Sequence, residues 1–127
     1  MDRERVAAWL EAYSRAWRSY DTAEIAALFS QDASYRYHPW DEPLRGREAI
    51  VASWLDERDA PGTYDGHYQP LLVDGESAVA TGRSHYFDQD GSVRREFHNC
   101  FVMRFDGDGR CTEFTEWFME HPRDASG

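Results

Sequence analysis

Apolar positions recur first at helical spacing and later at strand spacing. Val6, Trp9, Leu10, Tyr13, Ala16, Trp17 and Tyr20 share one helical face, which predicts an amphipathic helix ending near Tyr20. Asp21 or Thr22 then caps a short second helix through Phe29, and Asp21 with Glu24 has capping-box spacing. Ala33 to Tyr37 reads as a short strand. His38 to Gly46 carries Pro39, Pro43 and Gly46 and reads as a loop. Glu48 to Glu57 is a third helix with Ile50, Val51, Trp54 and Leu55 inward. After Pro61 the pattern turns to strands: Tyr64 to Val73, Ser77 to Phe87, Arg94 to Phe105 and Cys111 to Glu120, with turns at Asp74-Gly75, Gln89 to Ser92 and Asp106 to Gly109. The tail from His121 is expected to be loose.

Helices first and strands second predict an α+β domain in which a curved antiparallel sheet wraps the helices. The 127 residues suit one domain, 1–127, with a core from about 5 to 122. Aromatic residues make up 15% of the chain, bulk enough for a core and a lined cavity. The net charge of −10 opposes binding to phosphate backbones, so nucleic acid is not an expected partner. No apolar run reaches the roughly 18 residues of a membrane span. The charged start, MDRERVAAWLEAY, is unlike a signal peptide. A cytoplasmic location is the default expectation. Cys100 and Cys111 flank the DGDG turn several residues apart in register, with Arg104 expected beside Cys111, so a disulfide is disfavoured and a reducing compartment fits.

Four stretches carry a resemblance when taken in order: the aromatic first helix, LFSQDASY from Leu28, EPLRGREAI from Glu42, and the hairpin FVMRFDGDGRCTEFTEWF from Phe101. Together, from Val6 to Pro122, they resemble the nuclear-transport-factor-2-like (NTF2-like) superfamily. It includes SnoaL-like cyclases, ketosteroid isomerases, scytalone dehydratases and limonene epoxide hydrolases. The resemblance implies an α+β cone: three N-terminal helices packed on a strongly curved antiparallel sheet that encloses a cavity. It also implies a homodimer through the outer sheet face, for which Trp117, Thr115, Cys100 and Val102 are the candidate surface. One cone serves unrelated chemistries, so fold does not choose among them.

Beside the ketosteroid isomerases, the oxyanion tyrosine falls at Tyr13. The general-base stretch reads Tyr37-His38-Pro39, leaving His38, one residue displaced, as the only base there. The second oxyanion donor falls at Phe101, which cannot donate. Loss of one such donor typically costs ~2.7–4 kcal/mol, so steroid isomerisation by that mechanism is disfavoured. With Phe101 inward, strand alternation turns Phe97, Asn99, Met103 and Phe105 inward too, and Phe114, Glu116 and Phe118 on the last strand. On the middle strand Thr81, Arg83, His85 and Phe87 are the expected inward set.

The expected catalytic set is therefore Tyr13, His38, Arg83, His85 and Glu116. Tyr13 and Arg83 would stabilise negative charge, His38 or His85 would move a proton, and Glu116 would orient Arg83 or His85. Trp17, Tyr37, Trp54, Asn99, Phe101, Phe114 and Phe118 are the expected ligand wall. Structural alternatives stand beside these: an Arg83–Glu116 ion pair, a His38 ring packed on Trp40, and a core Tyr13. The expected ligand is a mostly apolar small molecule with a polar or anionic group. An acid–base isomerase, dehydratase, cyclase or hydrolase without cofactor is one reading, and a non-catalytic ligand-binding or protein-interaction module is the other.

Other motifs fail. DQDGS at Asp88 has its glycine at the wrong position for a calcium loop, and Asn99 stands where the closing Glu belongs. The five histidines, 38, 67, 85, 98 and 121, lack metal-ligand spacing, so no metal is expected. No GxSxG, phosphate loop or cysteine–base pair is present.

Overall fold

The computed structural model of the chain describes residues 1–56, 58–60 and 62–122. Helix α1 (Arg3–Ser19) starts at Asp2, whose side chain accepts from Arg5 N at 2.8 Å. It ends at Tyr20, in the left-handed region with φ 51°, where the N–H donates to Ala16 O. Helix α2 (Thr22–Leu28) is capped by Asp21, which accepts from Glu24 N at 3.0 Å. The reciprocal half of the expected capping box is rerouted: Glu24 accepts from the Ser19 hydroxyl, which in turn accepts from Asp21 N. Phe29, expected in the helix, instead opens strand β1 (Phe29–Arg36).

A two-residue strand β2 (Leu44–Arg45) lies within the proline-containing loop and pairs with β1, before helix α3 (Arg47–Asp56). Strands β3 (Tyr64–Asp74), β4 (Ser77–Phe87), β5 (Val93–Phe105) and β6 (Cys111–Glu120) complete a six-stranded sheet in the order β2-β1-β6-β5-β4-β3. The later strands match the expected spans to within a residue or so. The sheet is mixed, not antiparallel throughout, because β1 runs parallel to β6. Pro70 is tolerated in β3 because β3 is an edge strand, and the register shifts between Pro70 and Leu72.

Trp9 and Tyr13 of α1 pack on Phe105, Phe101 and Phe114 of the sheet, and Trp9 Nε1 donates to Leu28 O at 2.9 Å. Close approach of the outer strands demands glycine. A Cβ on Gly82 would overlap the His67 carbonyl and the Tyr68 backbone, and one on Gly66 would overlap the Tyr64 and Tyr68 hydroxyls.

β4 faces the opposite way from the expectation. Ala78, Ala80 and Ser84 are buried and Tyr86 lines the concave side, whereas Arg83 is exposed and His85 lies on the outer face. Small side chains are what this strand needs beneath the aromatic layer, and a one-residue change of phase turns every side chain over. Both cysteines are free: Cys100 pairs with Trp117, and Cys111 pairs with Phe105 in place of the expected Arg104. Among the described residues no helix is long and apolar enough to cross a membrane.

Candidate functional site

The concave face of the sheet and helices α1 and α3 enclose a pocket of about 640 Å³. Trp17 and Trp54 stack at 4.2 Å as one wall, and Phe97 and Phe118 meet edge to face at 5.4 Å as the other. Tyr13, Tyr64, Tyr68 and Tyr86 also reach the pocket. Tyr64 and Tyr68 share a hydroxyl–hydroxyl hydrogen bond of 2.7 Å across Gly66. Tyr37 closes part of the rim through its hydroxyl to Ser53 Oγ at 2.8 Å. Burial pushes the phenol of Tyr13 well above its usual range and that of Tyr86 up to about 12, so these hydroxyls keep their protons at neutral pH.

Glu116 is the pocket's central ionisable group. Asn99 Nδ2 donates to its Oε2 at 2.6 Å, and Ser84 Oγ donates to Asn99 Oδ1 at 2.9 Å. The amide orientation follows from this chain, because Asn99 must present its NH₂ to the carboxylate. Apolar surroundings push the Glu116 carboxyl up to about 7, against the smaller opposing effects of the Asn99 hydrogen bond and the nearby His38. A carboxyl poised there takes or gives a proton at neutral pH.

His38 stands at the mouth. Its Nδ1 lies 2.9 Å from Asp41 Oδ2, which also accepts from the His38 backbone N. A carboxylate only accepts, so Nδ1 carries the hydrogen of this contact. The ring stacks on Trp40 at 4.9 Å and meets Phe118 at 5.4 Å, so the packed arrangement and the pocket position coexist.

Of the sequence-predicted residues, Tyr13, His38, Glu116, Trp17, Tyr37, Trp54, Asn99 and Phe118 line the pocket. Phe101 and Phe114 do not: each is 1% exposed and sits beneath the lining against Tyr13. Arg83 and His85 project from the outer face, so the expected pairing of Glu116 with either is replaced by Asn99. His85 Nε2 instead meets Glu96 Oε1 at 2.7 Å, and that hydrogen bond holds the Glu96 carboxyl below its usual range. With Arg83 outside, the described lining residues include Asp41, Asp56, Asp59 and Glu116 and no arginine. Asp41, Tyr64, Tyr68, Ser84 and Tyr86 escaped the sequence reading. Their signals were the i, i+3 spacing of His38 and Asp41, the shared face of Tyr64 and Tyr68, and the small-residue alternation Ala78, Ala80, Gly82, Ser84.

Residues 10–114 match the family model of the SnoaL-like domain. The chain belongs to the SnoaL-like family. Among solved structures, this SnoaL-like protein is similar to a ketosteroid isomerase-like protein from Kribbella flavida, with 21% identity and a TM-score of 0.70 over 99% of this chain and 86% of that one. It is also similar to an NTF2-like protein of unknown function from Burkholderia xenovorans, with 18% identity and a TM-score of 0.70 over 96% of this chain and 88% of that one. At these identities the likeness establishes the cone fold for the SnoaL-like chain, and its chemistry rests on the pocket.

Proposed function

We propose that this protein binds a mostly apolar small molecule in its cone and abstracts a proton from a carbon next to a carbonyl, without a cofactor. The products of such a step are those of an isomerase, dehydratase or cyclase. The observation that carries the reading is Glu116, whose carboxyl sits in the pocket at about 7 with Asn99 donating to it. Glu116 is the base, Tyr13 and its neighbouring phenols are donors to a developing enolate oxygen, and the aromatic walls hold the carbon skeleton. His38, braced by Asp41, exchanges the proton at the mouth. Arg83 and His85 have no part in this scheme. The acidic lining disfavours an anionic ligand, so the polar group is a neutral carbonyl or hydroxyl.

The test is deuterium uptake at the α-carbons of bicyclic and tetracyclic ketones in D₂O, followed by NMR. Exchange above the buffer rate that falls at least about 100-fold in Glu116→Gln is the expected result. Exchange that Glu116→Gln leaves intact overturns the assignment of the base.

The second reading is a non-catalytic module for neutral or cationic ligands. The carboxylates Asp41, Asp56 and Asp59 around the pocket favour it. Ligand-dependent thermal stabilisation with no exchange at any ketone would decide for it. Under either reading we place the protein in a reducing, cytoplasmic setting, which the free Cys100 and Cys111 support, as a homodimer through its outer sheet face.

A further inference from the structure

On the outer face, away from the pocket, three histidines converge on one carboxylate. His98 Nε2 lies 3.5 Å and His121 Nδ1 3.3 Å from Glu96 Oε2, and the two ring nitrogens are 3.0 Å apart. His85 Nε2 meets the other oxygen, Oε1, at 2.7 Å. From these distances we infer a binding site for one divalent transition-metal ion of the zinc type, held by His98, His121 and Glu96.

The distances carry the inference. Bonds of 2.0–2.1 Å in a tetrahedral site separate neighbouring donor atoms by about 3.3–3.4 Å. The three separations here, 3.0, 3.3 and 3.5 Å, bracket that value. Two imidazoles and one carboxylate form a donor set suited to zinc and its neighbours in the transition series. A hydrogen-bonded cluster explains the arrangement less well. The two imidazole nitrogens share a single hydrogen bond of 3.0 Å, and neither makes a close hydrogen bond to Glu96 Oε2. A metal ion satisfies all three atoms at once.

The frame is braced. His121 N donates to Glu96 O at 2.8 Å, which fastens the segment after β6 to the start of β5. His85 orients the carboxylate so that Oε2 is left for the ion, the part an outer carboxylate or imidazole commonly plays around a bound metal. His98 and His121 are 44% and 53% exposed, so the remaining position opens to solvent. The ligands come from positions 96, 98 and 121, a spacing that matches no sequence motif, and only the antiparallel pairing of β5 with β6 joins them.

Untagged protein, stripped with chelator, is titrated with zinc chloride by calorimetry and with cobalt(II) by visible absorption. The expected result is one ion per chain, with the absorption of four-coordinate cobalt. His98→Ala, its milder partner His98→Gln, and His121→Ala should each weaken zinc at least about 100-fold, and His85→Ala about 10-fold. His67→Ala, which removes an exposed histidine elsewhere on the sheet, should change nothing. Absence of stoichiometric zinc, or binding that survives both His98→Gln and His121→Ala, overturns the site.

Discussion

Asn99 and Glu116 are diagonal neighbours, not a directly opposed pair. In the β5–β6 register Asn99 faces Phe118 and Glu116 faces Phe101, and the amide reaches across to the carboxylate at 2.6 Å. The buried carboxyl thereby has one firm donor, and a second residue, Ser84, fixes the donor's orientation. The arrangement holds a carboxyl in an apolar cone without neutralising it through a cation.

Glu116 sets stability and activity against each other. Its folded pKa of about 7 lies above the usual 4.5, so the native state binds the extra proton. Stability is therefore full below the unfolded value, falls as pH rises from 4.5 to about 7, and levels off above. The shift corresponds to about 3 kcal/mol. Glu116→Gln should leave stability little changed at pH 5 and raise it at pH 8, measured by urea unfolding at both values. Base-dependent turnover should rise as pH passes through about 7, following the ionisation of the native carboxyl. Asn99→Ala should move that rise to higher pH, since the lost hydrogen bond favours the ionised form.

The His38–Asp41 pair makes a separate claim on the rate. If His38 Nε2 relays the proton at the mouth, His38→Ala should reduce ketone α-exchange about 100-fold. Asp41→Asn, which keeps the shape but loses the charged brace on Nδ1, should cost less. Binding of the same ketone, read by tryptophan fluorescence, should be nearly unaffected by Asp41→Asn.

Gly82 is a packing requirement. Gly82→Ala drives a methyl group into the β3 backbone at His67 and Tyr68. The expected loss is about 2–3 kcal/mol, read as a fall of roughly 10 °C in melting temperature. An unchanged melting temperature would mean that β3 shifts freely away from β4.

The outer sheet face gives the assembly prediction. Trp117 is 43% exposed and Val102 41%, and Trp117 pairs with Cys100 beside them. A homodimer through this surface predicts that Trp117→Glu halves the mass seen by sedimentation while the far-ultraviolet spectrum is unchanged. A wild-type protein that sediments as a monomer removes the proposal.

Periodicity was enough to read the elements. The helical face of α1, the alternation of β5 and β6 and the turn chemistry at Asp106–Gly109 are local properties, and each sits close to where the pattern put it. The inward set of those two strands, Asn99, Glu116 and Phe118 among it, was legible for the same reason. β4 was misread because alternation says which residues share a face, and only packing says which face is in. Arg83 and His85 looked like chemistry, but Ala78, Ala80, Gly82 and Ser84 are the side chains small enough to lie under the aromatic layer.

The sequence by itself determined the order of helices and strands and the aromatic supply of the walls, because these follow from spacing and composition, and its motifs carry the resemblance to the family that residues 10–114 match. Tertiary structure alone decided that β1 runs parallel to β6, that Glu116 is met by Asn99 and not by Arg83, and that Glu96, His98 and His121 meet at one point. Each of those depends on which strand lies beside which and in what phase. Strand order and phase come from burying the whole aromatic layer at once, a sum over distant residues that no local window contains.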